Sequence, residues 1–192
     1  MKKTGSWLPL YLLTGFVWGC SFIFIKEGLE FLTPFGVAFG RCALGALTLY
    51  SIAKIRNIAL PRDKKALFHI WVICLLLNVF PGVFFAFAET KVTSILAGII
   101  NAVTPLMTLL AILVVNRAEK VKRVQVIGLV IGFTGVLIVL AAWNGLGTNP
   151  WWAVLILFIA VALYGISYPY TRRFVMPLGI KPEAIVAQQL IL

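Results

Sequence analysis

Charge is what this 192-residue chain has least of: 12% of its residues are charged, against 61% hydrophobic. Water-soluble domains carry about a quarter charged residues. Half that share cannot clothe a water-facing surface, so the bilayer must act as solvent for most of the chain. Acidic residues are scarcer still, six Asp and Glu against seventeen Lys and Arg. Histidine occurs once, as His69, with no Cys, Asp or Glu at ligand spacing, which excludes the familiar metal sites. The three cysteines, Cys20, Cys42 and Cys74, each lie inside an apolar run. Their odd number and the lack of a CxxC pair exclude a disulfide framework and a zinc site, and they read as small buried hydrophobes. There is no HExxH, no phosphate-binding glycine loop and no nucleophile beside a base, so neither catalysis nor a cofactor has a candidate.

The net charge of +11 would suit nucleic acid only if the basic residues shared one face of a soluble module. They fall instead in short clusters between long apolar runs, where they act as topology signals. The expected surroundings are lipid, with no nucleic-acid partner.

A span needs about 20 mostly apolar residues. Runs of that kind cover 7–25, 34–53, 67–88, 92–115, 124–143 and 151–170, and a seventh starts near Pro182 and stops at Leu192. The chain therefore reads as a fragment that ends inside a helix. Lys2, Lys3 and the stretch to Cys20 resemble a lipoprotein leader, but Trp18 is too bulky before Gly19-Cys20 and the run continues through Ile25. A retained first span is expected. Fourteen of the seventeen basic residues lie on one side of this arrangement: Lys2, Lys3, Lys54–Lys65, Arg117–Arg123 and Arg172–Lys181. Lys26 and Lys91 lie on the other, and Arg41 is within a span. The positive-inside rule then predicts a cytoplasmic N-terminus.

Two segments echo each other. Trp18-Gly19-Cys20-Ser21-Phe22, followed by Lys26, matches Tyr164-Gly165-Ile166-Ser167-Tyr168, followed by Arg172, at a constant offset of 146. Two residues further in offset, Pro34 matches Pro182 and Arg41 matches Gln189. Five spans separate the copies, so the second enters the membrane the opposite way up, the arrangement of inverted-repeat carriers. The expected fold is an all-α membrane helix bundle of inverted five-helix repeats, the first at 1–143 and the start of a second at 150–192.

From Ala86 to Leu140 the chain resembles the drug/metabolite transporter superfamily, specifically its EamA group. The resemblance is carried by Ala97-Gly98, Pro105, Glu119-Lys120, Gln125, Gly128 and Gly135, with Lys120 standing where Arg is commoner. The Trp18-Gly19 helix, Lys26 and Arg41 add to it. It implies ten spans in two inverted halves, both termini cytoplasmic, and cofactor-free movement of small metabolites across the cell inner membrane. It leaves proton or counter-solute coupling and a homodimer open.

Candidate substrate-binding residues are those whose polarity is out of place in a span. Lys91, Ser94, Gly98, Asn101, Pro105 and Thr108 recur at steps of three and four, one helix face that should look inward. Pro105 cannot donate to the Asn101 carbonyl, which either binds solute or marks a packing kink. Arg41, deep in span two, either neutralises a substrate carboxylate, or snorkels outward or pairs with Glu27, Glu30 or Glu89. Asn78, Pro81 and Gly82 interrupt span three, as discontinuous transporter helices do or as packing requires. Trp18, Ser21, Tyr164, Ser167 and Tyr168 line a cavity from the two repeat copies, whereas Trp7, Trp143, Trp151 and Trp152 anchor at the interface. Gly128, Gly132 and Gly135 form a small-residue face for close helix contact. The function that fits is a secondary transporter moving a small organic metabolite or amphiphilic compound by alternating access. A channel subunit and an intramembrane lipid-modifying enzyme are its rivals.

Overall fold

Most of the helices begin where a side chain or a proline disposes of backbone N–H groups that lack a partner. The computed structural model describes residues 7–115, 122–139 and 148–192. Helix α1 spans Trp7–Gly28 and α2 spans Pro34–Ile55. Pro34 occupies the first turn of α2, and Thr33 caps it by accepting from Gly36 N at 3.2 Å. Asp63 does the same for α3, Lys64–Cys74, accepting from Ala66 N at 2.9 Å. Helix α4 is Phe80–Glu89, α5 is Ser94–Asn101 and α6 is Thr104–Val115. Helix α7, Arg123–Val139, is closed at its start by Gln125, whose Oε1 accepts from Lys122 N at 2.9 Å, a back-reaching cap. Pro150 leads into α8, Trp151–Tyr170, and α9 is Pro182–Ile191 with its proline in the first turn.

Five helical segments are long and apolar enough to cross a bilayer: Leu8–Gly28, Pro34–Ile55, Lys64–Glu89, Ser94–Val114 and Trp151–Leu178. This is an all-α membrane protein. The fifth expected span, 124–143, is described as the 17-residue α7. Its last residues, with Trp143, Lys2, Lys3, Arg117, Glu119 and Lys120, lie outside the described residues.

Three spans depart from the sequence expectation. Span three is not broken at Asn78, Pro81 and Gly82. A π-helical turn, Leu75–Val79, joins α3 to α4, because Pro81 has no N–H for the Leu77 carbonyl and one extra residue absorbs the mismatch. Span four, expected as one helix, is the discontinuous one. It stops at Asn101 and restarts at Thr104, upstream of Pro105. Span six also runs longer than expected, through a second π-helical turn, Thr171–Val175, to Leu178.

Two left-handed residues turn the chain between spans. Asn57 (φ 51°) follows α2, with Ile58 N donating to Ala53 O at 2.8 Å, a Schellman-type end in which Asn takes the place of Gly. Gly179 (φ 66°) redirects the chain into α9.

Helix α8 lies between α4 and α6, and α9 packs on α2 and α3. The central contact is built from small residues, Ala86, Ala97, Ala153 and Ala160, interleaved with Phe85, Ile100, Leu157 and Val161, all buried. Small side chains let helix backbones approach, which is what drives association in lipid. The closest approach is at Gly165, where a Cβ would lie 2.6 Å from the Met107 carbonyl carbon. Helices α1 and α7 sit at the rim, with Phe16 and Phe24 of α1 among the exposed apolar side chains.

Candidate functional site

A cavity of 490 Å³ opens between α1, α2, the π-helical turn of span three, α4, α5, α8 and α9. Its wall includes Trp18, Ser21, Arg41, Asn78, Asn101, Tyr164 and Tyr168, seven of the eight residues singled out from sequence. Volumes of 300–1,000 Å³ are usual for small-molecule sites. Residues that matched across the two similar sequence segments line it together, Trp18 with Tyr164 and Arg41 with Gln189. A smaller space of 130 Å³ lies on the far side of Arg41, Asn78 and Tyr164.

One wall is aromatic. Phe22, Phe85 and Tyr164 form a ladder from α1 through α4 to α8, with ring centroids 5.4 Å and 6.1 Å apart. Such offset and tilted arrangements are the favoured ones for aromatic pairs, and they fix the wall's shape. The polar side is set by Arg41, Asn78, Asn101, Ser21 and Gln189. Among the described residues no ion pair joins Arg41 to Glu27, Glu30 or Glu89, although Arg41 and Glu89 interact electrostatically at longer range. Gln189, only 6% exposed, was missed as a site residue although its repeat match to Arg41 was visible in sequence. Phe22 and Phe85 were missed because an aromatic in a span is indistinguishable from core until its neighbours are known.

Pro105 is not on the cavity wall, and its role is to interrupt span four. The Asn101 carbonyl it was expected to free accepts the Thr104 hydroxyl at 2.7 Å instead. The break also divides the predicted polar face. Ser94, Gly98 and Asn101 line a second, larger groove of 720 Å³ between α1, α5 and α7, while Pro105 and Thr108 do not. The glycine face of α7 makes no close helix contact: a Cβ at Gly128, Gly132 or Gly135 would meet nothing within 4 Å among the described residues. Gly132 and Gly135 border that groove. Tight packing falls at Gly165 against Met107. Ser167 is fully buried and donates to the Tyr164 carbonyl at 2.7 Å, off the cavity wall. Trp151 is exposed, as an anchor would be, while Trp152 packs against the core.

At one end of the bundle Lys26 ties α1 to the α4–α5 turn. Its Nζ donates to the Glu89 carbonyl at 2.6 Å and the Val92 carbonyl at 3.3 Å. The Glu89 side chain is fully buried, and its Oε2 accepts from Ser94 Oγ at 2.9 Å while Oε1 has no partner among the described residues. Near the opposite end, His69 Nδ1 and Tyr170 Oη are 2.8 Å apart, and the imidazole stacks on Phe174. No spacing signal pointed to this contact between residues 101 positions apart.

Comparison with known proteins agrees with these features. The chain is 27% identical over 181 residues to YedA, an inner membrane transporter of Escherichia coli K12 described as uncharacterised, covering 94% of this chain and 56% of that protein. It is 29% identical over 166 residues to PagO of Salmonella typhimurium, covering 85% and 54%. A transporter of Archaeoglobus fulgidus, also described as uncharacterised, is 29% identical over 140 residues, covering 72% and 48%. The chain thus spans about half the length of the curated relatives it matches. No solved structure matches. The EamA-like transporter family model matches residues 5–141, and the chain belongs to that family.

Proposed function

We propose that the protein is a secondary transporter of the cell inner membrane that moves a small organic metabolite or amphiphilic compound by alternating access. The observation that carries this is the cavity itself, where residues from both repeat segments converge on one space within the bilayer-spanning helices. Binding at the interface of inverted repeats, beside a discontinuous helix, is how many carriers hold solute near the midplane. The break of span four at Asn101 supplies such a helix. Residues 1–143 form the first five-helix repeat in this reading and 150–192 the start of the second. The N-terminus is cytoplasmic, and transport needs no cofactor.

A lipid-modifying enzyme would need an acid–base pair at one depth. Among the described residues the cavity wall offers Arg41 and two tyrosines, with no carboxylate. The test is transport by cells expressing the protein, read as the profile of small metabolites inside and outside against cells lacking it. Asn101→Ala and Tyr164→Ala should erase the difference at unchanged membrane abundance. Two variants that transport like the wild type would refute the cavity as the site. Single cysteines at Asn57 and Thr90 check the orientation: the first should react only from the cytoplasm, the second only from outside.

A further inference from the structure

We infer that the cavity selects an organic monoanion with a flat apolar body, and that Arg41 and Gln189 together hold its carboxylate. The inference rests on the carrier reading and narrows its substrate class. Among the described residues Arg41 is the one charged side chain on the wall, and no Asp or Glu lines it. A guanidinium within a span must find a partner or water. Among the described residues Arg41 has no hydrogen bond or ion pair, although it lines both adjoining spaces.

The second observation is independent. Gln189 arrives from a different helix, α9, is only 6% exposed, and also has no hydrogen-bond partner among the described residues. Its amide atoms are not sealed off but open onto the cavity, where the NH2 group can donate to an acceptor. A carboxylate has two oxygens and about four acceptor sites, enough for the Arg41 fork and the Gln189 amide at once. Asn78, also on this wall, offers a further donor.

The rest of the wall defines the other end of the ligand. The Phe22–Phe85–Tyr164 ladder and Trp18 present ring faces and edges, which suit a planar ring or a short apolar chain. A cationic solute is disfavoured twice, by repulsion from Arg41 and by the absence of a lining carboxylate. The buried acid Glu89 lies off this wall, with Ser94 on one carboxyl oxygen and Lys26 on its carbonyl; its charge and that of Arg41 act on each other at a distance, without an ion pair.

The experiment uses the protein in liposomes and three labelled probes of one shape: 3-phenylpropionate, 3-phenylpropionamide and 3-phenylpropylamine. Binding is measured by equilibrium dialysis at neutral pH and at two salt concentrations. The acid should bind at least about tenfold tighter than the amide, the scale of one charge-assisted hydrogen bond gained, and the amine weakest. Arg41→Met should remove the preference for acid over amide while keeping amide binding, which shows that the variant is folded. Gln189→Leu should weaken the acid severalfold, and Gln189→Glu, which supplies Arg41 with an internal carboxylate, should abolish acid binding. The inference is overturned if the amine binds as well as the acid, if Arg41→Met leaves the preference intact, or if none of the three binds. Uptake in the same liposomes separates the two readings. A protein that binds the acid without moving it keeps this inference and sinks the carrier, whereas one that moves only the amine does the reverse.

Discussion

Replacing Gly165 with alanine tests the contact on which the position of Tyr164 depends. The added Cβ would lie 2.6 Å from the Met107 carbonyl carbon and 2.8 Å from both the Met107 carbonyl oxygen and Cβ. Comfortable carbon contacts are about 3.5–4.0 Å, so α6 and α8 must part by roughly 1 Å at this level. Backbone cannot swing aside as a side-chain tip can, and overpacking of this kind costs about 1–3 kcal/mol. Helix propensity works against that loss by roughly 0.5–1 kcal/mol, since glycine is the poorer helix former. The expected net loss is about 1–2 kcal/mol, a factor of roughly 5–30 in the folded ratio. Gly132→Ala is the control: nothing described lies within 4 Å of its Cβ, so only the propensity gain remains. Thermal unfolding in detergent can be followed by reaction of the buried Cys74 thiol with a thiol-reactive dye. Gly165→Ala should melt several degrees below wild type and Gly132→Ala at or above it. Equal melting of both variants would mean that α8 does not press on α6 at Met107, and the placement of Tyr164 on the cavity wall would lose its support.

Other interactions give smaller, separable effects. Lys26→Met removes two donors from the Glu89 and Val92 carbonyls and should cost about 1.5–3 kcal/mol, the range for charged hydrogen bonds; denaturant unfolding reads it directly. Ser94→Ala leaves both Glu89 carboxyl oxygens without a described partner and should cost about 1–3 kcal/mol, checked by the same assay, with no loss counting against the burial of Glu89. Tyr170→Phe deletes the 2.8 Å contact with His69 and should lose about 0.5–1.5 kcal/mol, measured against Phe174→Leu, which removes the stacked ring instead. Asp63→Ala should cost about 1 kcal/mol through the lost cap of α3, and Asp63→Asn should restore most of it.

What sequence revealed followed from signals carried by single spans. Apolar run length located the helices to within a few residues, because hydrocarbon thickness sets that length. Pro34 and Pro182 marked helix starts, because the restriction on proline is local. The cavity residues were legible wherever polarity was expensive, as at Arg41, Asn78 and Asn101. Illegible were the features that depend on which helix meets which. The Gly-rich face of α7 looked like a packing seam and borders an open groove, while a lone Gly165 holds the tightest contact. Spacing alone cannot distinguish a glycine that admits a neighbour from one that faces empty space. Gln189 lay near the chain's last residues and seemed only a repeat partner, until α9 packed against α2 and brought it to Arg41's cavity.

Three prolines explain why irregular backbone gathers around this cavity. Each removes the N–H that would bond the carbonyl four residues back, so Pro81, Pro105 and Pro169 deprive Leu77, Asn101 and Gly165. The chain answers differently each time. Before Pro81 it winds a π-helical turn, and Leu77 and Asn78 of that turn face the cavity. Before Pro105 it breaks, and Thr104 takes the Asn101 carbonyl, leaving the Asn101 amide at the cavity edge. Around Pro169 the helix stays intact and then widens into a second π-helical turn past Tyr170. A regular helix in a bilayer keeps its backbone polar groups to itself, so a polar site there needs side chains at odds with lipid and a backbone already interrupted. Spans three and four supply both within a few residues of Pro81 and Pro105, and Arg41 and Gln189 line the same cavity.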